Sequence, residues 1–339
     1  MSQVIVNWGI LGTSPISDKI AKAIMQSSTS KLAAIGSRTA YKAKSFAEKY
    51  AIEKYYDDYD LLLKDSELDA IYLGLPNHLH AEWVIRCANA GKHVLCEKPF
   101  ATTFIEAQDM VDMVKQSNVF CMEALMYRCH PFTQRLVEII RNNVIGQVRL
   151  IQATYMADIV KVANPMRGGC ILNLGCYPVS LVRLLMRSEP LEVTAMNVLS
   201  AEKHDRQASL LMRFDRDVLA VVNTADNIGT YAVLQVFGTE GHLEVVTNPW
   251  MPEQEENKII IHRHDEKLPI VVTVNADRPL YTYQIDAINQ RITHSQYEKT
   301  IDIVTLEDSL NNMAVLDAWQ QQMTMGRIVM NSIRNNELV

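Results

Sequence analysis

Nothing in these 339 residues approaches the roughly 18 consecutive apolar residues that a membrane-spanning helix needs. The N-terminus also lacks the charged, then apolar, then small-residue order of a secretory signal. No lysine or arginine run offers a phosphate track and the formal net charge is -6, which argues against a nucleic-acid surface. Cys87, Cys96, Cys121, Cys129, Cys170 and Cys176 include no CxxC pair, so they read as reduced core thiols of a cytoplasmic protein. A P-loop, a nucleophile-elbow serine, a paired-carboxylate motif and an internal repeat are equally missing. The length points instead to two ordinary globular domains.

What is present centres on residues 71–99, IYLGLPNHLHAEWVIRCANAGKHVLCEKP. Ile71 to Leu75 and His93 to Cys96 are short apolar runs without polar alternation, as in strands covered on both faces of a parallel sheet. The helix between them stops near Gly91, giving a βαβ crossover. Ligands bind outside the carboxyl ends of such strands, so Lys98, just past one of them, faces the crevice. Pro99 bars Lys98 from helical dihedrals and makes a cis bond between them available. On position alone, Glu97 and Lys98 are equally a solvated pair at a strand end.

Val4 to Leu11 is another apolar run, followed by Gly12, Thr13, Ser14, Pro15, Ile16 and Ser17. Ser14 suits an N-cap, Pro15 suits the first helical position, and Ile16, Ile20, Ala23 and Ile24 share a helical face. A helix N-terminus aimed at the end of a first strand suits a dinucleotide pyrophosphate. Ser14 and Ser17 stand where the GxGxxG fingerprint has its second and third glycines, so the loop by itself is equally a tight turn with no ligand. The second strand, Leu32 to Ser37, ends on Ser37, Arg38 and Thr39 with Lys42 nearby. It has no acidic residue for a ribose 2′-hydroxyl, and Arg38 favours a 2′-phosphate, hence NADP over NAD. His78 and His80 lack a third ligand at zinc spacing, and no metal is expected. Asn77 and His80 are expected to cap the next helix and to line the nicotinamide side of the crevice.

Thr103 and Glu106 have capping-box spacing, and Val119 to Met122 is a further sheet strand followed by Glu123. From Val148 onward short β-rich runs recur between turns such as FDRD and GTEG, the mark of a largely antiparallel sheet. Inserted among them is GGCILNLGCYPVSLVRLL, residues 168–185, a helix placing Asn173 and Tyr177 on one face. Taken alone this reads more readily as a core helix with a buried tyrosine. Thr305 caps a last helix beginning at Leu306. The domain division expected is 1–123 for dinucleotide binding and 124–304 for substrate binding and oligomerisation, with a helix at about 305–325 packing back on the first.

GTSPIS, the Ser37–Arg38 tip, LPNHLHAEW, AGKHVLCEKP and GCYPVS in this order resemble the glucose–fructose oxidoreductase, inositol dehydrogenase and rhizopine-catabolism (Gfo/Idh/MocA) family. Within it, the resemblance is to dihydrodiol-dehydrogenase-like members and NADPH-dependent sugar ketoreductases. It covers nearly the whole chain, and AGKHVLCEKP is its most specific piece. It implies a Rossmann domain followed by an α+β domain on a large, mostly antiparallel open sheet that faces a partner subunit in a homodimer or homotetramer. It further implies a catalytic lysine at Lys98 and an acid/base tyrosine at Tyr177. Many relatives carry aspartate where this chain has Asn173. On this reading the cofactor meets Gly12, Thr13, Ser14, Ile16, Ser37, Arg38, Lys42, Leu75, Pro76, Asn77, His80, Glu97, Lys98 and Arg128. The substrate meets Lys98, Asn173 and Tyr177. The implied activity is NADP(H)-dependent interconversion of a carbonyl and a secondary alcohol on a sugar, polyol or cyclic diol. A non-catalytic dinucleotide-dependent regulator of the same fold and an enzyme that never releases its NADP are the rivals.

Overall fold

A computed structural model of the chain describes residues 4–160, 168–293 and 303–322. The first sheet contains β1 (Val6–Leu11), β2 (Ser30–Gly36), β3 (Lys54–Tyr56), β4 (Ala70–Leu73), β5 (His93–Cys96) and β6 (Cys121–Glu123). All pairs are parallel, in the order β3-β2-β1-β4-β5-β6. This is the doubly wound order whose direction reverses between β1 and β4. Between the strands run α1 (Pro15–Gln26), α2 (Ala40–Tyr50), α3 (Tyr59–Leu63), α4 (His80–Asn89) and α5 (Phe104–Gln116). Every residue of β4 is buried, so its unbroken apolar run reports helices on both faces. The expected capping box of α5 forms with a shift: Thr103 Oγ1 accepts from Glu106 N, but Glu106 reaches back to Thr102, accepting from its N–H at 3.0 Å.

After α6 (Pro131–Arg141) comes the second sheet: β7 (Val148–Met156), β8 (Glu192–Leu199), β9 (Asp205–Phe214), β10 (Val218–Ala225), β11 (Tyr231–Gly238), β12 (Gly241–Val245), β13 (Asn257–Arg263) and β14 (Ile270–Val274). Its order is β14-β13-β12-β11-β7-β10-β9-β8, antiparallel except for β7 with β10. A helix, α7 (Cys176–Met186), follows directly on a wide π turn at Ile171–Gly175 and packs against β7 and β10. The mixed α/β class and both sheets match the expectation from the sequence.

Two late helices join the sheets. From α8 (Leu280–Thr293), Asn289 Oδ1 accepts the indole N–H of Trp8 on β1 at 3.0 Å. The final helix, α9 (Leu306–Gln322), packs against α5 and α7, and also against β8. It thus lies against a helix of the first sheet and along the edge of the second. Asp308 N donates to Thr305 Oγ1, the expected cap. Residues 323–325 of the expected helix lie outside the described residues.

One buried carboxylate sits at this junction. Glu123, 1% exposed, accepts from the Phe100 N–H and from the Ser309 hydroxyl, each at 2.9 Å. Burial raises its pKa to about 7 despite those two bonds. A carboxyl whose folded pKa exceeds its unfolded value holds its proton more tightly when folded. Stability therefore falls as pH rises from the unfolded pKa near ~4.3 toward 7, and the cost is complete above that. Glu123→Gln keeps an acceptor for Phe100 and gains an N–H for Ser309. Its melting temperature is expected to match wild type near pH ~4 and to exceed it at pH ~8, by on the order of 3–4 kcal/mol of stability. Thermal melts across this range check the expectation, and an offset independent of pH contradicts it.

Candidate active site

A cavity of about 380 Å³ opens where β1 and β4 end, the switch point of the first sheet. The turn from β1 into α1 forms one wall. Gly12 takes φ +94°, and a Cβ there would come within 2.9 Å of the Gly74 carbonyl oxygen. Ser17, fully buried, donates its hydroxyl to the Gly12 carbonyl at 2.8 Å, and its Oγ lies 3.0 Å from Ser14 Oγ. Ser14 is the N-cap residue as expected, but its side chain makes this bond and does not cap the helix. The two serines fit because the neighbouring strand gives way: a Cβ on Gly74 would lie 2.8 Å from Ser17 Oγ. The degraded fingerprint is thus a turn braced by hydroxyls, with the glycine supplied by the residue after β4.

Lys98 reaches across the cavity. Its Nζ donates to the Asn173 carbonyl at 2.8 Å and stands 4.9 Å from the centre of the Tyr177 ring. The bond from Lys98 to Pro99 is cis. Glu97, beside it, accepts from the Tyr72 hydroxyl at 2.7 Å and from the Lys98 N–H at 3.3 Å. Tyr177 packs edge-on against Tyr155, which in turn stacks on Trp250. Burial pushes the Tyr177 phenol well above its ordinary pKa, so it holds its proton at neutral pH.

Of the residues expected at the site, Ser14, Ile16, Leu75, Asn77, Glu97, Lys98, Asn173 and Tyr177 line the cavity together. Gly12, Thr13 and Pro76 lie in the two loops that carry that lining. Ser37, Arg38 and Lys42 lie apart from it, past the tip of β2. There the Ser37 N–H donates to the Tyr56 carbonyl at 3.0 Å, and the Arg38 guanidinium lies beside Tyr59. Asn173 presents its surroundings differently from the expectation. Its side-chain amide donates to the Gly168 and Gly169 carbonyls, at 2.9 and 3.0 Å, and its backbone carbonyl holds the lysine.

Two expected cofactor residues are placed elsewhere. His80 is fully buried, with Nδ1 2.8 Å from the Pro99 carbonyl oxygen and Nε2 2.9 Å from that of Leu75. Burial lowers its pKa even though both carbonyls favour the charged ring. It is a strut between the loops after β4 and β5 and neither caps α4 nor lines the cavity; the N-cap position belongs to Leu79. Arg128 is 3% exposed and donates to Ser180 Oγ at 3.1 Å and to Asp308 Oδ2 at 2.7 Å. It ties α7 to α9, away from the cavity, because a cation this deeply buried needs a carboxylate. Reading the sequence also missed Gly74 and Tyr281, both of which line the cavity. Tyr281 stands in the first turn of α8, and Lys19 Nζ of α1 lies 5.5 Å from its ring centre.

A Rossmann sheet with a lysine and a buried phenol facing its switch point, backed by a second, open sheet, defines a dinucleotide-dependent oxidoreductase of two-sheet architecture. Residues 6–125 match the model of an oxidoreductase family with an NAD-binding Rossmann fold, and residues 133–244 match the GFO/IDH/MocA C-terminal domain. The chain is 34% identical to D-xylose 1-dehydrogenase (NADP(+)) 2 of Haloferax volcanii, over 70% of this chain and 74% of that one. It is 28% identical to the trans-1,2-dihydrobenzene-1,2-diol dehydrogenase of Xenopus tropicalis, over 93% and 97%. Its fold is shared with KijD10, a 3-ketoreductase from Actinomadura kijaniata, with a TM-score of 0.83, 24% identity and coverage of 94% and 98%. The chain belongs to the Gfo/Idh/MocA oxidoreductase family.

Proposed function

We propose that this protein uses NADP(H), in preference to NAD(H), to interconvert a carbonyl and a secondary alcohol on a sugar, polyol or cyclic diol. The observation that carries this reading is the convergence of the Lys98 ammonium and the Tyr177 phenol on one cavity at the switch point. The names of the relatives, a xylose dehydrogenase and a dihydrodiol dehydrogenase, support the substrate class.

The donor set fits a dinucleotide. The Gly12–Ser17 turn opens α1, whose first-turn N–H groups suit a pyrophosphate, with Ser14 and Ile16 on the cavity side. Leu75, Pro76, Asn77 and Glu97 would flank the nicotinamide end, and Ser37, Arg38 and Lys42 the 2′-phosphate. When bound, the nicotinamide supplies or accepts hydride. Lys98 holds positive charge where the substrate oxygen becomes an alkoxide, and the Asn173 carbonyl keeps that ammonium aimed into the cavity. Tyr177 delivers the proton to the oxygen in reduction and removes it in oxidation. The Asn173 side chain is spent on Gly168 and Gly169, so it acts on the substrate through the lysine it orients.

This proposal includes a dinucleotide-binding unit over residues 1–123 and a substrate-binding unit over 124–304, since β6 ends at Glu123. It includes a cytoplasmic location; no described helix is long and apolar enough to cross a membrane. It includes self-association as a homodimer or homotetramer through the second sheet's uncovered face, where Met196, Leu211 and Leu219 are exposed. The cofactor choice is tested by Arg38→Ala. NADPH affinity is expected to fall by about 10- to 150-fold, the worth of a charge-assisted hydrogen bond, with NADH nearly unchanged. Fluorescence titration with each cofactor measures both, and equal losses would remove Arg38 from the 2′-phosphate.

A further inference from the structure

The far end of α7 meets a second cavity, of about 500 Å³, whose lining includes Arg141, Arg149, Arg187 and Arg216 with Asp215 and Asn143. The four arginines come from four separate places: the end of α6, the start of β7, the C-cap of α7 and the turn between β9 and β10. Tyr177 stands in the first turn of α7 and Arg187 just beyond its last, roughly 15 Å apart at helical rise. The two cavities share no lining residue.

The usual role of an arginine in this protein is different. Arg86, Arg128, Arg135, Arg183, Arg206, Arg213, Arg263 and Arg278 each pair with a carboxylate. Among the described residues, Arg149, Arg187 and Arg216 do not, and all three line this one cavity. Arg149 is instead positioned, donating from Nη1 to the Arg216 carbonyl at 2.9 Å, which fixes the β9–β10 turn against β7. Two helix C-termini at the rim favour cations on their own, but each supplies only about half a charge. That leaves several guanidinium charges against Asp215 in a chain of net charge -6.

We infer that this cavity is a binding site for a small phosphorylated metabolite, held by the guanidinium groups of Arg149, Arg187 and Arg216 acting as forks on phosphoryl oxygens. The site is separate from the cofactor's, and the inference does not depend on the proposed reaction.

The test is calorimetric titration of the full chain with inorganic pyrophosphate at fixed ionic strength, using wild type, Arg187→Asn, Arg216→Asn and the double variant. Asparagine is chosen because both positions have left-handed backbone, φ 53° and 59°, which it tolerates better than alanine. With the cofactor site saturated by NADPH, wild type is expected to bind one pyrophosphate per chain, each single variant to weaken binding about tenfold or more, and the double variant to abolish saturable binding. Arg38→Ala is expected to leave pyrophosphate binding intact. Absence of saturable binding in wild type, unchanged binding in the single variants, or loss of binding in Arg38→Ala would each overturn the site, the last by assigning the anion to the tip of β2.

Discussion

Replacing Lys98 with alanine is expected to lower kcat/KM by about a thousandfold or more, while the NADPH dissociation constant stays within about threefold of wild type. Among the described residues lining the cavity, Lys98 supplies the only fixed positive charge, so its removal takes that counter-charge away from the developing alkoxide. The pyrophosphate turn is built from other residues, Gly12 to Ser17, and keeps its hydroxyl bonds in the variant. Steady-state rates together with cofactor fluorescence separate the two effects. A parallel collapse of binding and turnover would make Lys98 a cofactor clamp, and near-normal turnover would remove it from the chemistry.

Tyr177→Phe isolates the proton. The ring that lies under the Lys98 ammonium and edge-on to Tyr155 remains, and only the phenolic hydroxyl is lost. The expected loss in kcat is about a hundred- to ten-thousandfold, with KM changed little. Because burial holds this phenol well above its ordinary pKa, wild type keeps a proton donor through neutral pH. Reduction should therefore be sustained there and decline only on the alkaline side. The phenylalanine variant should lose that alkaline limb. A pH–rate profile of unchanged shape would assign the proton to another group.

Much of this arrangement is legible in the chain because it rests on local pattern. The unbroken apolar runs Ile71–Leu75 and His93–Cys96 announce strands covered on both faces, and a lysine just beyond such a strand must face the crevice. Asn173 and Tyr177, four apart, share a face even though a π turn intervenes, and both reach the cavity. Long-range bonds are what sequence pattern could not show. The loop position of His80 points to the site, yet its ring is held by carbonyls five and nineteen residues away. The resemblance puts Arg128 at the cofactor, yet its carboxylate partner lies 180 residues on, in α9. The residue type of Asn173 points to its amide, whereas the lysine is held by its backbone carbonyl, which every residue type carries. Gly74 carried a usable signal, since two serines in the first turn require room on the adjacent strand. Tyr281 carried none, because only the docking of α8 against α1 brings it to the cavity.

The most direct test of the central claim is to follow nicotinamide absorbance while the purified chain, with NADP as oxidant, is offered aldoses, polyols and cyclic trans-diols in parallel. The account predicts formation of NADPH with at least one member of the panel, and none from the Lys98→Ala variant under the same conditions. A chain that binds NADPH tightly yet transfers hydride to or from no member of the panel, in either direction, would contradict it and favour a dinucleotide-sensing role for the same fold.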